Sequence, residues 1–419
     1  MGNSQSSSIN PRFASAKRAF TENELEDLNS LFLSLAEKSE RNAQYISPSV
    51  FKDHVGIEGP LGDRLFDLVS QNRKDQKLTF EDLVIAKATY EKGTKDEIEE
   101  FIYQLLDVSA DGTVGRSDLE AVLTAMLDNI FSQKCSQHGP GSDSEVIDIL
   151  LNAANFTTDS QKSAESCMSY EEFRKWCALL PSVRKFLGSL LMPSDPGSDV
   201  PRLVHQDNIN SNVILLRKEY AWLIGGALPQ EELHEWKLLY HSTLHGLSFN
   251  TFLGNVSNDK GPSVLIIKDK EGYIYGGYAS QPWERHAEFY GDMKSFIFQL
   301  YPKASIFRPT GANHNIQWCA VNFSSESIPN GIGFGGRVHH FGLFIPANFD
   351  QGHTFPCTTF GSPCLSASNV IYPEAIECWG VVIKKAQEET QDRVKGTILE
   401  RFKEDRHMLN MVGLANSSE

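Results

Sequence analysis

The sequence predicts an α+β multidomain chain: an all-α N-terminal half, then a β-sandwich with flanking helices, then a C-terminal amphipathic helix. Three observations predict it. Residues 20–192 repeat apolar helical stripes around four short polar loops. Residues 236–382 set short β-branched and aromatic runs between glycines. A turn-rich stretch, Met192-Pro-Ser-Asp-Pro-Gly-Ser-Asp-Val-Pro201, stands between the two. At 419 residues the chain has room for two or three cores.

Composition limits the function classes. A formal charge of -15 with no run of Lys or Arg argues against a nucleic-acid partner, because neutralising phosphates needs a concentrated basic surface. Seven cysteines without regular spacing, and no apolar N-terminal segment, predict a reducing, cytoplasmic setting without a disulfide framework. No apolar run approaches the roughly eighteen residues that span a bilayer, so any membrane contact is expected to be peripheral.

Residues 1–19 read as a flexible leader. Met1-Gly2-Asn3-Ser4-Gln5-Ser6 fits the N-myristoylation pattern, with Gly2 as acceptor; the alternative is a Ser-rich leader that merely begins Met-Gly. One myristoyl chain gives only marginal, reversible membrane binding, and Arg12, Lys17 and Arg18 add little charge. A protein partner on the membrane is therefore the expected second contact.

In residues 20–192 four loops carry an apolar residue at their eighth position and another just after their twelfth: Ile46/Phe51, Leu78/Leu83, Val114/Leu119 and Met168/Phe173. That offset is EF-hand-like: the eighth residue bridges to a partner loop and the residue after the twelfth starts the exiting helix. Helical periodicity flanks the loops over Glu22–Leu35, Glu97–Leu106 and Asp118–Phe131. One loop keeps cation-ligand chemistry, with Asp107, Ser109 and Asp111 at positions one, three and five, Gly112 at the turn, Thr113 offering its carbonyl, and Asp118 at twelve. These are the candidate ligands for Ca2+ or Mg2+; the alternative is a metal-free loop kept to pack helices, and no other cofactor is required. The remaining loops place Arg73, Lys74, Lys162 or Val50 where oxygen donors belong, and are expected to be structural.

Residues 193–212 form the predicted linker, which would let the halves move independently. The next unit is predicted over 213–383. Ser263–Lys268, Tyr273–Tyr275, Val338–Ile345 and Ile376–Ile383 read as strands, and Asp269-Lys-Glu-Gly272 as the hairpin turn between the first two. Residues 384–419 hold a helix and tail, with a charged segment over 386–412 whose Val394, Ile398, Phe402, Met408, Leu409 and Val412 fall within about 120° on a helical wheel. This amphipathic helix either packs on its own chain or enters a groove on a partner.

Eight of the twelve histidines lie between His234 and His353, near Cys319, Cys357 and Cys364, yet no metal-ligand or nucleophile spacing connects them. Gly331-Ile-Gly-Phe-Gly-Gly336 matches a dinucleotide fingerprint only formally. It is followed by a strand pattern instead of the helix N-terminus that a pyrophosphate needs, so turns and close packing are expected there. No catalytic residue is assigned.

A series of blocks carries a family resemblance: Leu238-Leu-Tyr-His-Ser242, Leu265-Ile-Ile-Lys-Asp269, Gly276-Gly277, Pro282-Trp283, Phe289-Tyr-Gly291, Thr310-Gly-Ala-Asn313, Gly331 to Gly336, Phe341-Gly-Leu343, Cys357-Thr-Thr-Phe-Gly361 and Glu377-Cys-Trp-Gly380. In that order they resemble a TLDc domain. The resemblance implies a non-catalytic protein that binds the cytosolic, peripheral sector of the vacuolar proton ATPase. Together with a myristoylation signal and degenerate EF-hands, it implies support of mTOR recruitment and signalling on the cytosolic face of lysosomal membranes. Its competing implications are an oxidative-stress-protective activity, with Cys319, Cys357 or a histidine as the reactive group, and a calcium-responsive membrane sensor.

Overall fold

Helices begin where the sequence caps them. Thr79 and Thr94 each accept the backbone N–H three residues on, while Asp82 and Glu97 reach back to the cap amide, so both helices start on reciprocal capping boxes. The computed structural model describes residues 10–39, 44–71, 74–132, 142–158, 166–192, 199–205 and 213–383. Gly2 and the predicted helix residues Val394, Ile398, Phe402, Met408, Leu409 and Val412 lie outside them.

Four helix–loop–helix units follow a short first helix, Pro11–Lys17: Glu22–Ser39 with Pro48–Val55, Gly59–Val69 with Phe80–Lys87, Lys95–Leu106 with Arg116–Ser132, and Ser142–Leu151 with Tyr170–Leu179. The loops pair two by two. Ile46 and Leu78 exchange backbone hydrogen bonds of 2.9 and 3.1 Å, and Met168 N–H donates to the Val114 carbonyl at 2.9 Å. All eight apolar residues singled out at these loop offsets are buried. Placing them in the core is what the offset accomplishes: the bridge holds two loops together while the following residue anchors the exiting helix.

The second half is a sandwich. Its seven-stranded sheet runs Arg202–Val204, Glu235–His241, Pro373–Val382, Ser263–Asp269, Ile274–Ala279, Phe296–Tyr301 and Ser305–Phe307 in spatial order. The five-stranded sheet runs Val370–Ile371, Gly352–His353, His340–Pro346, Gly331–Arg337 and Gln317–Ala320. The expected hairpin is present: Ser263–Asp269 pairs antiparallel with Ile274–Ala279, and Gly272 closes the turn at φ 87°. Three expectations are corrected. Val338 and His339 form a hairpin turn, with His339 at φ 65°, so the strand starts at His340 and these two adjacent histidines do not share one. Gly331–Gly336 lies within a strand, its glycines admitting the neighbouring strand and Phe360 at close range. Arg202–Val204, inside the predicted linker, adds a parallel edge strand beside Glu235–His241.

Alternation sorts the seven-stranded sheet between two cores. Leu265, Ile267, Tyr275 and Ile297 face the five-stranded sheet, against Ile332, Phe334, Leu343 and Ile345. Val264, Ile266, Phe296, Phe298 and Trp379 face the other way and join one continuous core with the helical half, including Trp176, Phe186 and Trp222. Ala304 N–H donates to the Ile149 carbonyl at 3.0 Å across the same boundary. Independent movement of the halves is thus not what the packing provides: 10–192 and 213–383 share a core.

Gly277 lets Phe334 of the facing sheet approach its strand closely. A Cβ there would stand 2.6 Å from the Phe334 ring, whereas one on Gly254, in helix Phe249–Val256, would meet nothing within 4 Å. Gly277→Ala is expected to cost about 1–3 kcal/mol by forcing that ring off its position, and Gly254→Ala to be neutral or slightly stabilising. Urea unfolding of both variants checks this; equal midpoints would disprove the contact.

Candidate functional site

The structure brings Asp107, Ser109, Asp111, Thr113 and Asp118 together in one loop. Gly112 takes φ 88° at the turn, the left-handed conformation required of the sixth position. The carboxylates are already engaged. Asp107 accepts the amides of Asp111 and Gly112 at 3.1 Å each, and Asp118 accepts those of Ser109 and Gly115 at 3.2 and 3.0 Å. Asp111 turns outward onto Thr113, whose hydroxyl and amide bonds hold its pKa below the usual carboxylate value.

A residue absent from the sequence reading completes the loop. Arg64, on helix Gly59–Val69, places Nη2 3.3 Å from Asp107 Oδ2 and donates Nε to the Gln104 carbonyl at 3.1 Å. A tethered cation therefore pairs with the first candidate ligand and also caps the end of helix Lys95–Leu106, where a positive charge complements the exposed carbonyls. Among the described residues no group of three or more His, Cys, Asp or Glu is arranged to hold a metal ion. The three aspartates keep their oxygens on the loop's own amides and hydroxyls, and Arg64 pairs with the first of them. No signal in the sequence marks Arg64, which sits 43 positions before its partner.

The sandwich holds a different polar centre. Glu377, fully buried, accepts hydrogen bonds from the Leu215 amide, the Leu216 amide at 3.1 Å and the Trp379 indole at 2.8 Å. His241, equally buried, sets Nε2 3.0 Å from the Val213 carbonyl and 3.3 Å from Glu377 Oε1. Burial works against a charged ring, but Glu377 and the Val213 carbonyl outweigh it and leave the His241 pKa above its ordinary value. The Thr243 amide donates to Nδ1 at 3.1 Å, which places the ring proton of the neutral form on Nε2. The cluster is sealed from solvent. An acid inside the apolar strand motif Glu-Cys-Trp-Gly was its sequence signal.

The other candidate reactive groups are scattered. Burial pushes the thiols of Cys319 and Cys378 up to about 12, far from a thiolate at neutral pH. Cys357 is buried beside Gly335 and Gly342. His353 lies among the rings of Phe341, Phe344 and Phe355, and that burial, with the neighbouring His340 and His339, lowers its pKa to about 4.

Two predictions follow from this chemistry. Arg64→Gln should lower the unfolding temperature in the absence of metal, since it leaves a buried carboxylate without its cation. Millimolar calcium should restore part of that loss while leaving the parent protein unchanged; scanning calorimetry with and without calcium reads both, and an equal calcium response would refute the role given to Arg64. His353 takes up its proton more readily when unfolded, so its share of stability is complete above pH 6.5 and fades as pH falls towards 4. His353→Phe should flatten the decline between those values by up to about 3 kcal/mol, measured by urea unfolding at a series of pH values.

Comparison with known proteins places this architecture. Residues 209–382 match the model of the TLDc domain. The MTOR-associated protein MEAK7 of Mus musculus is 30% identical over 68% of this chain and 64% of its own length; that of Danio rerio is 38% identical over 63% and 60%. The protein of the same name from Xenopus laevis is 26% identical over 86% of this chain and 85% of its own. The chain thus spans somewhat under two thirds of the length of the mouse and zebrafish relatives. Its motif order, its two-sheet sandwich and the matched span agree, and residues 209–382 form a TLDc domain.

Proposed function

We propose that this protein is a non-catalytic, peripheral-membrane adaptor on the cytosolic face of lysosomes. In this reading the TLDc half docks on the peripheral sector of the vacuolar proton ATPase, the helix predicted over 386–412 adds a second contact, and the assembly supports mTOR signalling. The observation that carries it is the extent of the likeness. Similarity to relatives named for mTOR association continues past residues 209–382 into the helical half and reaches 86% of the chain in the frog relative.

The chemistry of the sandwich supports an adaptor over an oxidation-protective enzyme. A peroxide-reducing cysteine needs an accessible thiolate, whereas Cys319 is buried with a pKa near 12. No helix among the described residues is long and apolar enough to cross a membrane, so the membrane contact in this reading comes from a myristoyl group on Gly2 and from the protein partner. The helical half acts as an EF-hand-like scaffold. With Arg64 paired to Asp107, the first candidate ligand of its best loop, the calcium-sensor reading is the weaker one.

Affinity purification of the full chain from cell membranes, with and without calcium, tests the proposal. Vacuolar ATPase subunits and mTOR are expected to co-purify equally under both conditions, and removal of residues 386–419 is expected to reduce ATPase recovery several-fold. Unchanged recovery after truncation would remove the second contact, and absence of ATPase subunits under both conditions would overturn the adaptor reading.

A further inference from the structure

A groove of about 640 Å³ opens in the first pair of helix–loop–helix units. Its walls are apolar, with Leu28, Leu31, Phe51 and Val55 facing Leu191 and Met192. The segment ending at Met192 is fastened in place: Tyr90 donates its hydroxyl to the Leu187 carbonyl, and Lys87 donates Nζ to the Leu191 carbonyl and, at 2.7 Å, to Glu91. The groove is therefore a built feature of the helical half.

Its polar rim selects against a free carboxylate. Lys87 is committed to Leu191 and Glu91. Desolvation, with Lys87 and Lys38 nearby, holds the His54 pKa below the ordinary imidazole value, so that ring is neutral at pH 7. Glu24 and Asp27 bring negative charge to the same lining. The groove suits an uncharged acyl chain joined through an amide and disfavours a free fatty acid.

The N-terminal segment is placed to supply one. Phe20 lines the groove and follows helix Pro11–Lys17 by three residues, while Asn10 caps the start of that helix. The helix spans roughly 10 Å, and residues 2–9 reach up to about 26 Å when extended. We infer that the groove holds the myristoyl group of Gly2, so that the protein alternates between a form with the acyl chain sheltered and a membrane form with it released. This rests on the proposed lipidation of Gly2. The groove and the bilayer then compete for one chain, and a membrane partner that stabilises the released form shifts the balance.

The full chain co-expressed with N-myristoyltransferase is compared with Gly2→Ala, using intact mass, binding of dansyl tetradecylamide and sedimentation with phosphatidylcholine vesicles. The Gly2→Ala protein should take up the probe and the acylated protein should not. In the acylated background, Leu31→Trp and Val55→Trp fill the groove and should raise vesicle binding several-fold. Of these, only a variant whose unfolding temperature stays within a few degrees of the parent is read. Absence of the acyl mass overturns the lipidation reading and this inference with it. Acylation with equal probe uptake, or with vesicle binding unchanged by the filling variants, overturns the groove assignment alone. Probe uptake by the acylated chain only after removal of residues 386–419 would assign the groove to that segment and likewise overturn the inference.

Discussion

The structure depends on one constraint: the seven-stranded sheet is covered on both faces. A strand such as Ser263–Asp269 cannot spare a face for solvent, so Val264 and Ile266 must suit the helices while Leu265 and Ile267 suit the second sheet. A register slip of one residue would exchange the two sets and misfit both cores at once. Cys378 and Trp379 obey the same constraint by ordinary alternation, one facing the sandwich and the other the helices, while the register with Glu235–His241 shifts between them, Cys378 pairing with Tyr240 and Trp379 with Leu238.

Glu377 fastens the seam between these cores. It lies beside the bulge, and its carboxylate gathers the amides of Leu215 and Leu216, which lead directly into helix Lys218–Gly225. That helix carries Trp222 into the core shared with the N-terminal units. A buried carboxylate is tolerated only when its oxygens are well occupied, and here amides, an indole and an imidazole occupy them. The same enclosure that makes this centre a good structural pin makes it inaccessible to a substrate. Its acid and histidine thus hold the sandwich to the helical half.

Much of this was legible in the sequence because local rules sufficed. The offset of Ile46, Leu78, Val114 and Met168 from the residues that start the exiting helices reports a geometry fixed within twelve positions, and the structure buries each one. The hairpin at Asp269–Gly272 was legible for the same reason. What stayed hidden depends on contacts far apart in the chain. Arg64 meets Asp107 across 43 positions, and no periodicity announces it. Gly331–Gly336 was legible in part: the expected close packing is there, with Leu343, Phe360 and Cys357 crowding the glycines, but along a strand instead of through turns. The linker composition was real, yet Arg202–Val204 still found a sheet edge, since three residues suffice to add a strand when an unpaired neighbour is available.

Arg64 and the shared core bear on each other. In a sensor, cation binding is used to reorient helices around a loop. Here the first candidate ligand, Asp107, is paired with a side chain from the neighbouring unit, and the helices on either side are built into a core that continues through Trp222 to Trp379. Opening the loop would require breaking the Arg64 contacts and disturbing the sheet's second face together. The helical half therefore presents its groove and carries the TLDc sandwich on one continuous core. Regulation, on this argument, has to enter from the surfaces that remain free to exchange partners, namely the groove mouth and the outer face of the sandwich.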